Sequence, residues 1–237
     1  MNLRLDWCSH KAAKYAVMNW HYSKKMPVGK LVKIGVWENE KFIGVILFGD
    51  GILGSGKTFM GYDKMKVAEI VRVALTNHDA TVSKLLSISI RMLKMKCPDL
   101  ILLVSFADTN QNHIGTIYQA SNWIYNGLSS ATKTYKNNKT GRIYHSKDVN
   151  KKGWTVKFGK PTKGQRYSDV TEITSSRKHR YLYPLNKETR KQIEPLAKPY
   201  PKKKCDVGVK RSTTSFQDVG GGAIPTTSLH LERQYAY

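Results

Sequence analysis

The sequence predicts an α/β protein: a mixed central sheet with flanking helices, followed by a C-terminal extension that is basic and β-rich or irregular. Three observations predict it. Two runs rich in β-branched and aromatic residues flank a short polar turn. A strand, helix, strand series follows, its apolar spacing switching from period two to period 3.6 and back. After about residue 127, apolar periodicity gives way to cations, Gly and Pro. On this reading residues 1–130 form a core, 131–198 a basic extension, and 199–237 a flexible or packed-back tail.

Residues 10–19 have the spacing of a short helix, and His21-Tyr22-Ser23 turns out of it. Residues 31–37 and 42–48 read as strands, and Glu38-Asn39-Glu40 supplies the turn that pairs them as a hairpin. The run from Gly49 to Thr58 has P-loop spacing, Gly51 to Gly56-Lys57-Thr58, but a P-loop opens a helix and Phe59-Met60-Gly61-Tyr62-Asp63 reads as more loop. It is taken as a mobile connection, with nucleotide binding as the alternative.

Residues 67–75 alternate as a strand. Residues 82–96 carry Leu85, Leu86, Ile88, Ile90 and Leu93 at helical spacing, and 100–106 is an apolar run of buried-strand length. Together they make a strand, crossover helix, strand unit. Between the first strand and its helix, residues 76–81 lead to Ser83 and Lys84, where helix N-terminal amides and a cation suit a pyrophosphate. A polar loop from 107 to 116, a short helix ending near Asn122 and a closing strand to Gly127 complete the core, with Tyr118 four residues before that helix end.

The formal net charge is +23, which favours a polyanionic partner, DNA or RNA, with an anionic membrane as the competing surface. Residues 133–166 hold eleven Lys or Arg against one acid, Asp148, interleaved with Tyr135, Tyr144, Trp154 and Phe158. Aromatics among cations suit tracking of a nucleic-acid backbone with occasional stacking, and Lys139-Thr140-Gly141-Arg142 reads as a hairpin tip able to enter a groove. The expected DNA contacts are Lys24, Lys25, Lys133, Lys136, Lys139, Arg142, Lys151 and Lys152; a solvated charged face is the alternative. No run approaches the roughly 18 apolar residues of a membrane span, and the N-terminus lacks an export pattern, so the chain is expected in the cytoplasm. Cys8, Cys97 and Cys205 fit neither a disulfide framework nor a metal knuckle and are expected reduced.

The helix and strand at 115–127 resemble the closing element of acyl-CoA N-acyltransferases. Four segments occur in order: His21-Tyr22-Ser23-Lys24-Lys25-Met26-Pro27, Glu69-Ile70-Val71-Arg72-Val73-Ala74-Leu75, Val104-Ser105-Phe106-Ala107-Asp108 and Gly115-Thr116-Ile117-Tyr118-Gln119-Ala120-Ser121-Asn122-Trp123. Together they resemble the Mom family of phage DNA-modification proteins over about residues 20–130, and the basic remainder, with its glycine run at 220–222, is similar to tails of that family. The resemblance implies a GNAT-like fold, acetyl-CoA as donor, double-stranded DNA as partner, and action in the host cell cytoplasm. The implied reaction converts adenine in DNA to a methylcarbamoyl derivative on its exocyclic amine, shielding phage DNA from restriction. Iron is also raised as a metal by the resemblance. Two other classes stay open: a GNAT N-acetyltransferase acting on a protein or small amine, and a non-enzymatic basic DNA-binding protein.

The chemistry falls on few residues. Arg72 suits bidentate phosphate recognition; its alternative, an ion pair with Glu69, is weakened because residues three apart point to opposite strand faces. Ser83 reads as a hydroxyl that donates a hydrogen bond to a phosphate or to the acyl group, or as a helix-cap hydroxyl, and Lys84 as its cationic neighbour. Asp108, past the carboxyl end of a buried strand, reads as a general base or as a cap of the next helical turn. Tyr118 resembles the GNAT tyrosine that acts as general acid towards the leaving thiolate; core packing is its alternative. Tyr22 suits stacking on an extruded adenine, with a surface turn as its alternative, and His21 and His113 are candidate bases or metal ligands, with solvated loop imidazoles as theirs.

Overall fold

The computed structural model describes residues 2–50, 58–131, 133–157, 159–174 and 177–203. Most of the glycine-rich connection, at 51–57, and the tail from residue 204, with Cys205 and the glycine run, lie outside the described residues.

The core begins with β1 (Leu3–Trp7), α1 (His10–Trp20), β2 (Leu31–Glu38) and β3 (Lys41–Gly49). It continues through β4 (Val67–Leu75), α2 (Val82–Lys96), β5 (Leu102–Ala107), α3 (Thr116–Gln119) and β6 (Ile124–Leu128). An extension follows with β7 (Lys133–Asn137), β8 (Ile143–His145), β9 (Trp154–Lys157), β10 (Lys160–Lys163) and β11 (Val170–Thr174), and the chain ends its described part with β12 (His179–Pro184) and α4 (Lys187–Ile193). Seven strands form one mixed sheet in the order β1-β2-β3-β4-β5-β12-β6. Within it only β4 and β5 run parallel.

Local chemistry explains the elements. Asn39 and Glu40 turn the β2–β3 hairpin at φ 48° and 64°, an arrangement that suits a two-residue connection. Ser9 starts α1 by accepting from the Ala12 amide. Strand alternation then sends Ile34, Ile46, Ile70 and Leu103 to one face, beneath Leu85, Leu86, Ile90 and Leu93 of α2. The opposite face sends Val45, Leu47 and Ala74 against Ala13, Ala16 and Val17 of α1. Val67, Leu102, Val104 and Leu182 pack with Ile193 of α4. Burial on both faces explains why β3, β4 and β5 read as nearly continuous apolar runs.

Two expectations are corrected. Residues 59–63 are not wholly loop: Thr58–Phe59 pairs with Tyr62–Asp63 in a minimal hairpin, Met60 and Gly61 taking φ 51° and 83° at its turn. A short helical turn at Lys64–Lys66 leads directly into β4, so no P-loop helix follows Thr58. The division at residue 130 marks where the basic insertion begins, not where the core ends. β12 returns to the central sheet and fills the gap between β5 and β6, and residues 1–203 form one compact unit. Among the described residues no helix is long and apolar enough to cross a membrane, and Cys8 and Cys97 are free thiols.

Because β12 supplies the pairing edge of both β5 and β6, a chain cut after residue 130 should lose cooperative folding while residues 1–203 keep it. Circular dichroism during thermal unfolding checks this; a sharp transition from residues 1–130 would contradict the role given to β12.

Candidate active site

The site begins where the parallel strands part. β4 and β5 pair only from Val67 with Leu102 to Ile70 with Ser105, after which β4 follows β3 and β5 follows β12. The parting coincides with a bulge: Leu47 faces Arg72 and Phe48 faces Ile70, leaving Val71 as an extra residue in β4. That residue overturns the face argument for Arg72. With one residue inserted, Glu69 and Arg72 share the α1 face, and the Glu69 charge helps offset the burial that lowers the Arg72 pKa.

Arg72 binds the loop that leaves α1. Its Nε and Nη2 donate to the Lys25 carbonyl at 3.3 and 3.2 Å, and Nη1 donates to Val71 O at 2.6 Å. The guanidinium nitrogens expected at a pyrophosphate are therefore engaged by the chain itself. Within that loop, His21 Nδ1 accepts from the Ser23 amide at 3.1 Å and lies 2.8 Å from the Ser23 hydroxyl, which leaves the neutral ring's proton on Nε2. Burial first, then the charges of Arg72 and His113, lower the His21 pKa to about 4, so the ring is an uncharged imidazole near neutrality.

Tyr22 joins the two imidazoles. Its ring centroid lies 4.3 Å from His21, and 5.5 Å from His113 in an edge-on contact, while 49% of the residue stays exposed and reachable by a ligand. Burial and the Asp108 carboxylate raise its hydroxyl pKa against the pull of Arg72. Asp108, just after β5, accepts from the Asn110 amide at 3.0 Å and pairs with Lys178 at 3.5 Å. The capping role and the approach to Tyr22 belong to one carboxylate.

Tyr118 is buried with Trp123 and Tyr181, so its core-packing alternative is realised. Its hydroxyl lies 2.6 Å from Ser105 Oγ, and that serine also donates to Ile70 O at 3.2 Å. Ser105 has one proton; when Ile70 receives it, Tyr118 becomes the donor in the short contact. Burial pushes the Tyr118 phenol up to about 12, with Glu69, Tyr22 and Tyr181 adding to the rise and Ser105 opposing it, so it is a proton holder at neutral pH. Ser105 escaped the sequence reading; its only signal was a hydroxyl inside an apolar strand.

Six expected residues thus converge at the parting of β4 and β5: His21, Tyr22, Arg72, Asp108, His113 and Tyr118. Ser83 and Lys84 stand apart at the start of α2, where Ser83 Oγ donates to Thr81 Oγ1 at 3.3 Å and Lys84 is exposed. The loop before them is not an open anion nest. Glu38, placed in a turn by the sequence reading, stays in β2, is buried, and accepts from the Asp79 and Ala80 amides at 3.0 and 2.7 Å. No side chain caps α2, so its first-turn amides at Val82 and Ser83 are the donors left for a phosphate. A metal fits less well. Among the described residues no three of His, Cys, Asp and Glu gather to hold an ion, and His21 and His113 both pack on Tyr22. The donor set does not suit iron, and no step is drawn through it.

A basic cleft of about 870 Å³ is lined by Lys25, Lys139, Arg142, Lys152, Lys163 and Arg166, with Asp148 and Asp169 the acids among its walls. Its hairpin tip is the expected one: Asn137 Oδ1 accepts from the Lys139 and Thr140 amides, and Gly141 takes φ 69°. Four expected DNA contacts, Lys25, Lys139, Arg142 and Lys152, meet here. Lys24, Lys136 and Lys151 are exposed outside the lining, and Lys133 is held by Glu172 at 2.9 Å.

A model of the Mom protein family matches residues 2–202. The chain belongs to the Mom family. It is 26% identical over 215 residues, 84% of each chain, to the methylcarbamoylase Mom of Escherichia phage Mu. Among solved structures it resembles aminoglycoside acetyltransferase AAC(6')-Ib with coenzyme A and kanamycin, at 14% identity and TM-score 0.41 over 54% of this chain and 87% of that one. It also resembles the IAA acetyltransferase of Bacillus cereus, at 14% identity and TM-score 0.40 over 78% of this chain and all of that one. These superpositions are partial; the architecture rests on the strand order and register given above. The family match runs through the basic insertion and β12, well past the motifs at residues 20–130 that carry the resemblance.

Two outcomes follow from the charges. Proton NMR should place the His21 pKa near 4, and Arg72→Gln should raise it by removing a repelling cation; no change would refute that coupling. Since the folded value lies below the usual 6.5, the stability held by uncharged His21 should be lost as pH falls from about 6.5 towards 4. Glu38→Gln should destabilise the chain by about 1–3 kcal/mol in urea. Burial pushes the Glu38 pKa up, but the Asp79 and Ala80 amides and His78 outweigh it and lower the net value. The gap to wild type should therefore close as acid protonates that carboxyl.

Proposed function

We propose that the chain is a phage DNA-modification enzyme that converts adenine in double-stranded DNA to a methylcarbamoyl derivative on its exocyclic amine, protecting phage DNA from host restriction. One observation carries the reading: Lys25 lines the basic cleft while its carbonyl is held by Arg72 at the parting of β4 and β5, so a polyanion groove and a proton-transfer cluster share one loop. Family membership and the methylcarbamoylase from phage Mu support the same chemistry. An acetyltransferase for small amines has no need of such a cleft, and a purely architectural protein has no need of the cluster.

The adenine amine is out of reach in a duplex, so the base must leave the stack at a cost of roughly a few kcal/mol, offset by phosphate contacts along the cleft. Tyr22 offers an exposed ring for stacking, and Asp108, close enough to perturb its hydroxyl, takes the proton lost as the amine forms its new bond. Tyr118 keeps its proton beside Ser105, so it would steady a leaving thiolate by donating a hydrogen bond, not by giving up the proton. An acyl-CoA donor, where bound, would place its phosphates by the Val82 and Ser83 amides and Lys84 and supply an activated acyl carbon. Acetyl transfer alone does not deliver the nitrogen of a methylcarbamoyl group. Action is placed in the host cytoplasm, where phage DNA is accessible.

Nucleosides from plasmid DNA of cells expressing the full chain should include a heavier deoxyadenosine by mass spectrometry, and cells expressing Asp108→Ala should lack it. The protein should accumulate equally in both. Unmodified deoxyadenosine with wild type would overturn the proposal.

A further inference from the structure

β9 and β10 form a two-stranded ribbon that, among the described residues, pairs with no third strand. Its base is fixed. Asn150 Nδ2 donates to the Trp154 carbonyl at 2.8 Å, Asn150 Oδ1 accepts the Lys152 and Gly153 amides at 2.9 Å, and the Gly164 amide donates to Gly153 O at 3.0 Å. Register decides which side chains face out. Thr155 lies opposite Thr162 with its hydroxyl oxygen buried, while Trp154 lies opposite Lys163 and Val156 opposite Pro161 on the other face. Apart from Lys163 that outer face is apolar, and it is open: Trp154 is 46% and Val156 59% exposed, with Lys152 Nζ 5.6 Å from the Trp154 ring centroid. A lone ribbon showing Trp and Val to water gives up stability that a partner would restore.

The setting selects the partner. Lys152, Gly153, Thr162 and Lys163 of the ribbon and its base line the basic cleft, and so does Lys25 from the loop that carries Tyr22. Cations ask for a polyanion; an apolar ridge beside them asks for something to enter. A duplex offers both, phosphates outside and a base stack within. The geometry points to the Trp154–Val156–Pro161 ridge as a wedge that enters the base stack of double-stranded DNA at the step from which an adenine is extruded. The inference rests on the adenine-modifying reading above. Extrusion leaves a gap and an unpaired thymine, and phosphate contacts alone are indifferent to whether the base stays out; a ridge seated in the gap delays its return. No bond is made or broken by the ribbon.

Permanganate, which oxidises unstacked thymines, tests the wedge without knowledge of the target sequence. The full chain on linear plasmid DNA should raise reactivity at discrete thymines. A Trp154→Ala/Val156→Ala variant, compared at equal fraction bound, should lower it about tenfold, and Trp154→Phe should keep most of it. Full reactivity from the double variant, or none from wild type, overturns the wedge. So does Trp154-dependent binding to phosphatidylserine vesicles with thymine reactivity unchanged, which would make the ridge a membrane contact. If wild type raises thymine reactivity through Trp154 but leaves nucleosides unmodified in cells, the enzymatic reading falls and the wedge stands.

Discussion

The structure depends on the grip of Arg72 on the Lys25 carbonyl at the bulge in β4. Without the extra residue at Val71, Arg72 would face α2 and meet apolar core; with it, the guanidinium reaches the loop after α1. That contact places Tyr22 and His21 over the gap between β4 and β5. The same cation, together with burial, keeps His21 uncharged and tempers the rise of the Tyr22 hydroxyl. Geometry and proton inventory therefore share one cause.

A second constraint is topological. A basic insertion at residues 129–178 separates β6 from β12, yet β12 must pair with both β5 and β6 for the sheet to close. The insertion is pinned at both ends to the sheet that builds the site, which lets surface charge on residues 139–166 act at a fixed place relative to Asp108 and Tyr118. Lys178, where the insertion meets β12, makes the link concrete by pairing with Asp108. The cleft cations and the Asp108 cluster thus belong to one compact unit.

Much of this was legible in the sequence. β4 and α2 fall at their expected residues because period-two and period-3.6 apolar spacing are unambiguous there. The motifs marked Tyr22, Asp108 and Tyr118 for the reaction and Arg72 with Ser83 and Lys84 for a pyrophosphate; the structure instead sets Arg72 on the loop of Tyr22 and leaves Ser83 and Lys84 apart at the start of α2. What escaped depends on register or long-range contact. A bulge cannot be seen in β4's alternation, so the shared face of Glu69 and Arg72 was misjudged. Glu38 looked like a turn residue, since nothing local reveals that its carboxylate fills amides forty residues away. The return of β12 was hidden because HRYLYP, six residues within a basic stretch, carries too short an apolar pattern to announce a central strand.

The measurement that tests the central claim most directly is hydrogen exchange of the full chain with and without duplex DNA. If cleft and site form one surface, amides at 21–25 and 106–113 should slow together with those at 137–145 and 148–166. Protection confined to the insertion, with 21–25 and 106–113 unchanged, would put DNA away from the cluster and contradict the account.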